Sequence, residues 1–188
     1  MCIRDRFMGF ELRGKVLGIV GFGRIGKAVA KRALAFDMKV IAYDIRDIRE
    51  EAESMGVKVA STLEELLKES DIITFHIPLN ESTRHMIGER EISLMKRGAI
   101  IVNTSRGGII ETKALLKALK EGKLAGAALD VFENEPPKDK EEWELIRLPN
   151  VVATPHIASQ TWEAQIAAAS IIAEEVYKAL CEAQSAEH

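Results

Sequence analysis

The sequence predicts an α/β protein in which one mostly parallel sheet is doubly wound by helices within a single domain. Two observations carry this expectation. Short β-branched apolar runs alternate with helical stretches from Lys15 onward, and a glycine-rich turn joins the first run to the first helical stretch. Strands that alternate with helices over this length form a parallel sheet covered on both faces.

The elements follow in order. Lys15 to Val20 reads as a short buried strand bounded by glycines. From Arg24 to Phe36, the apolar positions Ile25, Ala28, Val29, Ala33 and Phe36 recur at helical spacing, leaving Lys27, Lys31 and Arg32 for solvent. Val40–Tyr43 reads as a second strand, Arg49–Met55 as a short helix and Val57–Ala60 as a third strand. Ser61-Thr62-Leu63-Glu64 has the form of a capping box opening another helix at Ser61. Further strands are expected at Ile72–Phe75, Ala99–Asn103, Ala125–Leu129 and Val151–Ala153. Helices are expected near Glu89–Met95 and Thr112–Glu121, the latter stopped by Gly122. Phe132 to Pro149, with Pro136, Pro137 and Pro149, reads as a large surface loop. Beyond it, Trp162, Ile166, Ala169, Ala173, Val176 and Leu180 form an apolar stripe on a helix of roughly twenty residues, which must be buried against something.

Composition narrows the function. The 188 residues are 47% apolar, and 26 Lys and Arg stand against 29 Asp and Glu, a net charge of −3. A chain of this size buries on the order of 70% of its unfolded surface and needs no metal or disulfide to hold a core. The charge balance supplies no field to gather a polyanion, so nucleic acid is not the expected partner. Cys2 and Cys181 match neither a disulfide framework nor a zinc spacing, which fits a reducing cytoplasm. No apolar run approaches the roughly 18 residues of a membrane span, so no membrane partner is expected.

The turn after the first strand is Gly21-Phe22-Gly23-Arg24-Ile25-Gly26, a G-x-G-x-x-G sequence in the strand–turn–helix setting that gives the pattern its meaning. Gly21 permits the tight turn, Gly23 removes the Cβ that would hold a pyrophosphate off the backbone, and Gly26 lets helix and strand approach. The N–H groups at the helix start then face phosphate, aided by the helix dipole. Asp44 ends the second strand eighteen residues after Gly26. A carboxylate at about that offset accepts hydrogen bonds from both hydroxyls of an adenosine ribose and repels a 2′-phosphate, so the expected cofactor is NAD, a preference that nearby Arg46 weakens slightly.

Three later clusters each follow a strand, where open α/β sheets place their ligand crevice. They are Asn103-Thr104-Ser105-Arg106-Gly107-Gly108, Asp130-Val131-Phe132-Glu133-Asn134-Glu135-Pro136 and Thr154-Pro155-His156. Together they hold an arginine, a carboxylate and an imidazole, the inventory for oxidising a hydroxy acid by hydride transfer. The planar fork of Arg106 would grip a substrate carboxylate or carbonyl. His156 would take the hydroxyl proton and return it in the reverse reaction. Glu135, bonded to the other ring nitrogen, would fix the tautomer and favour the imidazolium. His76, which precedes the Ile77-Pro78 segment, reads as structural or as a support behind that segment, and no metal site is expected.

With these motifs the chain resembles the NAD-dependent D-isomer-specific 2-hydroxyacid dehydrogenases from about Gly9 to Leu180. The likeness rests on Glu11-Leu12-Arg13-Gly14-Lys15, the glycine loop, His76-Ile77-Pro78, Asn103 to Gly107, Ala128 to Phe132, Glu135-Pro136 and Thr154-Pro155-His156. The resemblance implies a Rossmann sheet, with Arg106, Glu135 and His156 at the family's catalytic positions and a small 2-hydroxy or 2-keto acid as substrate. It also implies that Arg24 and Ile25 lie at the pyrophosphate and Asp44 at the ribose, with Ile77 and Pro78 beside the adenosine. Thr104 and Asp130 would lie toward the nicotinamide, and Ser105 joins the cofactor set, as does Ser159, at a position where the family commonly has small residues. A homodimer through this domain is likewise implied, and corepressor-like modules of the same fold bind NAD without a metabolic task. Family members carry a substrate lobe of roughly a hundred residues ahead of this region. Residues 1–14 are therefore read as its remnant, 15–160 as the NAD-binding domain and 161–188 as a C-terminal helix that would return to that lobe.

Overall fold

The computed structural model describes residues 9–186, with side chains to residue 181. Cys2, His188 and the start of the lead-in read from the sequence lie outside the described residues. Seven parallel strands form the sheet: β1 (Val16–Val20), β2 (Lys39–Tyr43), β3 (Lys58–Val59), β4 (Ile72–Phe75), β5 (Ala99–Asn103), β6 (Leu124–Leu129) and β7 (Val151–Ala153). Their spatial order is β3-β2-β1-β4-β5-β6-β7. The chain thus builds outward from β1 to one side and then crosses over to build outward on the other. Because all strands are parallel, every carboxyl end lies on one edge.

The connecting helices are α1 (Arg24–Ala35), α2 (Arg49–Ser54), α3 (Leu63–Glu69), α4 (Glu89–Leu94), α5 (Thr112–Lys120) and α6 (Lys140–Ile146). Strand alternation sends Leu17 and Ile19 of β1, and Val40 and Ala42 of β2, into one cluster with Ala30 and Ala33 of α1. Val20 and Ile41 enter a second cluster on the opposite face, with Leu66 and Leu67 of α3, Ile92 of α4 and Leu115 of α5. This is the period-2 division that a sheet with two covered faces requires. On the β5–β7 side, Val102, Ala128 and Val152 stand in register across one face, half-buried except for the exposed Val152.

Three local expectations are corrected. The inward face of α1 is Gly26, Ala30 and Ala33, while Ile25, Ala28 and Phe36 are exposed. Small residues face the sheet because α1 packs close to β1, and a periodicity that counts bulk misses a stripe made of glycine and alanine. The cap of α3 lies one residue later than expected. Thr62 Oγ1 accepts from Glu65 N at 3.1 Å, and Glu65 Oε2 accepts from Ser61 N at 2.8 Å. Finally, the proline-rich stretch contains α6. Its organising group is Glu142, only 2% exposed, whose carboxylate accepts from the backbone N–H groups of Asn134, Lys138 and Asp139. Burial pushes this carboxyl up, but those three N–H donors and Asn134 Nδ2 outweigh it and hold the group below the usual range.

The chain divides into two compact units, the first ending at Thr154 and the second beginning at Pro155. The second is dominated by α7 (Trp162–Ala186), 25 residues long and opened by Thr161, whose Oγ1 accepts from Ala164 N at 3.1 Å. Its apolar stripe is exposed, with Trp162 at 85% and Ile166 at 64%. Among the described residues no helix is long and apolar enough to cross a membrane.

Candidate functional site

The glycine loop leaves β1 at the centre of the carboxyl edge, where the strand order reverses and the loops of β1 and β4 part to leave a crevice. Each of its glycines is there for a different reason. Gly21 has φ +93°, and a Cβ on it would lie 2.5 Å from the His76 carbonyl oxygen and 2.7 Å from Ile77 Cγ2. A Cβ on Gly26 would overlap the Gly21 carbonyl oxygen. A Cβ on Gly23 would meet no atom within 4 Å and would project into open space at the start of α1. The first and last glycines therefore satisfy the protein itself, whereas the middle one keeps a space clear.

That space belongs to a cleft of about 490 Å³ lined by Gly21, Gly23, Asp44, Arg46, Ile77 and Pro78, among others. Tyr43, Ile45, Leu63, Asn80, Thr83 and Met86 complete its walls. The sequence reading missed this second group because no motif marks them. The loop carrying Asn80 and Thr83 is held by its own side chains, with Thr83 Oγ1 donating to the Pro78 carbonyl at 2.7 Å and Asn80 Oδ1 accepting from Ser82 N at 3.0 Å. Asp44 stands at the end of β2, as the spacing predicts, and its carboxylate accepts from Phe22 N at 2.9 Å, tying the strand end to the glycine loop. Burial raises its pKa, but hydrogen bonds from the Arg46 side chain and from the Arg46 and Phe22 backbones outweigh that, leaving the carboxyl below its ordinary value. His76 is half-buried at the cleft wall, burial lowers its pKa, and its Nε2 lies 3.2 Å from Thr74 Oγ1.

The later clusters gather further along the same edge. Asn103, 1% exposed, forms the loop that presents Arg106: its Oδ1 accepts from Ser105 N and Oγ at 3.1 and 3.0 Å, and its Nδ2 donates to the Arg106 carbonyl at 2.9 Å. Arg106 is exposed and donates from Nη1 to the Ser105 carbonyl at 2.6 Å, and Thr104 is exposed beside it. The Asp130 backbone N–H donates to the Asn103 carbonyl at 2.9 Å, and its buried carboxylate accepts from Thr154 Oγ1 at 2.6 Å, so one chain of contacts joins the ends of β5, β6 and β7. Gly107 packs so closely on Phe132 that a Cβ would overlap the Phe132 backbone, which seats the arginine loop against the loop of Glu135. Glu135 is exposed, accepts from Phe132 N at 3.2 Å and precedes a cis peptide bond to Pro136. The structure therefore brings Arg106, Glu135 and Asp130 onto neighbouring loops of one edge.

His156 and Ser159 belong to the second unit. His156 is exposed and adopts left-handed backbone, φ +53°, a conformation uncommon for residues other than glycine. The Ser159 carbonyl accepts from Thr161 N at 3.0 Å and Gln165 Nε2 at 3.4 Å, bracing the turn that leads into α7. His85 also gains a partner that the sequence reading did not supply, Glu133 Oε2 at 2.8 Å, while Glu133 Oε1 accepts from Thr112 N at 2.7 Å. Among the described residues no group of three or more His, Cys, Asp or Glu could hold a metal ion.

Glycines that admit a diphosphate, a strand-end carboxylate at ribose distance along the chain and a cleft at the crossover define a dinucleotide-binding α/β domain. The family model for the D-isomer specific 2-hydroxyacid dehydrogenase NAD binding domain matches residues 2–158, and the chain belongs to that family. It is 55% identical over 177 residues to a D-3-phosphoglycerate dehydrogenase from Methanocaldococcus jannaschii, covering 94% of this chain and 33% of the relative. It is 54% identical to a glyoxylate reductase from Thermococcus litoralis, covering 89% of this chain and 49% of the relative. The solved D-lactate dehydrogenase from Aquifex aeolicus, complexed with NAD and lactic acid, superimposes with a TM-score of 0.82 at 40% identity over 93% of this chain and 55% of that one. The chain thus spans between a third and about half the length of these relatives. NAD is the cofactor of the family, and the residues at the cleft fit it.

Proposed function

We propose that this chain is the cofactor-binding and proton-transferring part of an NAD-dependent D-2-hydroxyacid dehydrogenase, acting on D-3-phosphoglycerate. The observation that carries the reading is the space kept clear at Gly23 beside Asp44, on the edge that also presents Arg106 and Glu135. Bound NAD supplies the acceptor for the hydride on the hydroxyl carbon. Gly21, Gly23, Arg24, Ile25 and Gly26 hold the diphosphate, Asp44 the ribose, and Ile77 and Pro78 flank the adenosine. Thr104 and Asp130 line the nicotinamide side, and Ser105 and Ser159 complete the cofactor set. Arg106 clamps the substrate carboxylate with its planar fork. His156 accepts the hydroxyl proton as the C–H bond breaks and returns it when a keto acid is reduced, and Glu135 holds the imidazole in the tautomer that accepts it. Residues 15–160 form the NAD-binding domain in this reading and 161–188 a helix that returns to a substrate lobe. The whole protein is a cytoplasmic homodimer of serine biosynthesis.

The near-equal identities to a phosphoglycerate dehydrogenase and a glyoxylate reductase favour a second substrate reading, that of a glyoxylate/hydroxypyruvate reductase. NADH oxidation by the intact protein separates them. Phosphohydroxypyruvate is expected to be turned over fastest, and His156→Ala to lower kcat by about 10²-fold or more. Faster turnover of glyoxylate or hydroxypyruvate overturns the substrate assignment, and undiminished turnover in His156→Ala overturns the mechanism.

A further inference from the structure

The Asp44 carboxylate has about four acceptor positions, and in this structure the protein itself fills four. Oδ1 accepts from Arg46 N at 3.0 Å and from Arg46 Nε at 3.2 Å. Oδ2 accepts from Phe22 N at 2.9 Å and from Arg46 Nη2 at 3.2 Å. The guanidinium thus grips the carboxylate with two prongs, one on each oxygen. The two partners differ sharply in setting: the Asp44 side chain is 10% exposed and the Arg46 side chain 63%. The carboxylate is fixed in the cleft wall by the glycine loop, while the arginine reaches over it from solvent and can swing away.

We propose that Arg46 is a latch on Asp44 that competes with the cofactor ribose and narrows the preference for NAD over NADP that Asp44 confers. The inference rests on the reading of Asp44 as the ribose acceptor. A ribose diol donates two hydrogen bonds, and both oxygens are already occupied. The side-chain prongs must therefore release Asp44 before NAD can be bound through that carboxylate, and the cost of release is subtracted from NAD affinity. A 2′-phosphate has the opposite relation to the pair. It is repelled by Asp44 and offers the released guanidinium a doubly accepting anion of the kind its fork matches. Arg46 therefore weakens NAD binding and supports NADP binding through one and the same movement. An exposed ion pair of this type is worth little, so the expected effect on NAD is about two- to fivefold and is reduced by salt.

Calorimetric titration of the 188-residue chain with NAD and with NADP tests this without turnover. Arg46→Ala is expected to bind NAD about two- to fivefold more tightly and NADP more weakly. Arg46→Lys, which keeps the charge but cannot fork, should fall between it and the unaltered chain for NAD. Asp44→Asn should weaken NAD binding, and in that background Arg46→Ala should no longer improve it. If Arg46→Ala binds NAD no more tightly while Asp44→Asn weakens it, the latch is refuted and the ribose role of Asp44 stands. If Asp44→Asn leaves NAD affinity unchanged, the ribose role itself fails and the latch with it.

Discussion

Two glycines three residues apart in one motif should respond to alanine in opposite ways. Gly26 lies in α1, where alanine would by itself gain about 1 kcal/mol of helix propensity over glycine. Its Cβ, however, would overlap the Gly21 carbonyl oxygen and lie 3.3 Å from Ile19 Cγ2. Overpacking typically costs about 1–3 kcal/mol, and a backbone oxygen cannot rotate aside as a side-chain tip does, so the upper part of that range applies. The net is a loss of about 1–2 kcal/mol, or a fall in Tm of about 2–8 °C for a domain of this size. Gly23 has extended backbone at φ −78°, which alanine adopts freely, and its Cβ meets nothing within 4 Å. Gly23 is the N-cap of α1, where alanine is disfavoured, and this offsets the gain from a more restricted unfolded chain, so Gly23→Ala should leave Tm close to unchanged. In the proposed reading the same methyl stands where the diphosphate approaches, and NAD affinity should fall about tenfold or more. Thermal melts of both variants without cofactor, with calorimetric titration of NAD, read the two effects separately. The reasoning is refuted if Gly23→Ala melts as low as Gly26→Ala, or if Gly23→Ala binds NAD as tightly as the unaltered chain.

Thr154→Val removes the 2.6 Å hydrogen bond to the buried Asp130 carboxylate at the junction of β6 and β7. Urea denaturation should show a loss of about 1–3 kcal/mol, since a buried acceptor forfeits a donor. His76 has a folded-state pKa below its ordinary 6.5 because burial penalises its charged form. The unfolded chain therefore takes up its proton first as pH falls below about 6.5, and stability declines from there toward the lower folded value. His76→Gln should flatten this part of the stability–pH curve, and an unchanged slope would refute the assignment.

The positions of the loops proposed to carry the chemistry were legible because they obey local rules. The glycine turn, the strand-end Asp44 and the clusters after β5 and β6 each announce themselves within a few residues, and parallel topology then places them on one edge without any knowledge of long-range contacts. What escaped depended on partners distant in sequence or on small side chains. α1 turns Gly26, Ala30 and Ala33 inward, and these carry too little hydrophobic signal to show as a stripe. α6 hides in a proline-rich stretch because its start is organised by the buried Glu142 reaching back to backbone donors, which composition reads as one more surface acid. The residues that finish the cleft wall, Asn80 and Thr83 among them, sit in a loop shaped by its own polar side chains and recur at no period. His85 and Glu133 are 48 positions apart, and no spacing rule links them.

The strand order also permits the sheet to assemble in the order in which its strands are made. β1, the earliest of these seven strands, lies inside the sheet; β2 and β3 can dock successively on one flank, β4 on the other, and β5, β6 and β7 in turn beyond it. No strand ever has to insert between two that are already paired. Each later strand has an open border to pair with, an order that permits growth by accretion, and β4 alone must return across about fifty residues to reach its neighbour.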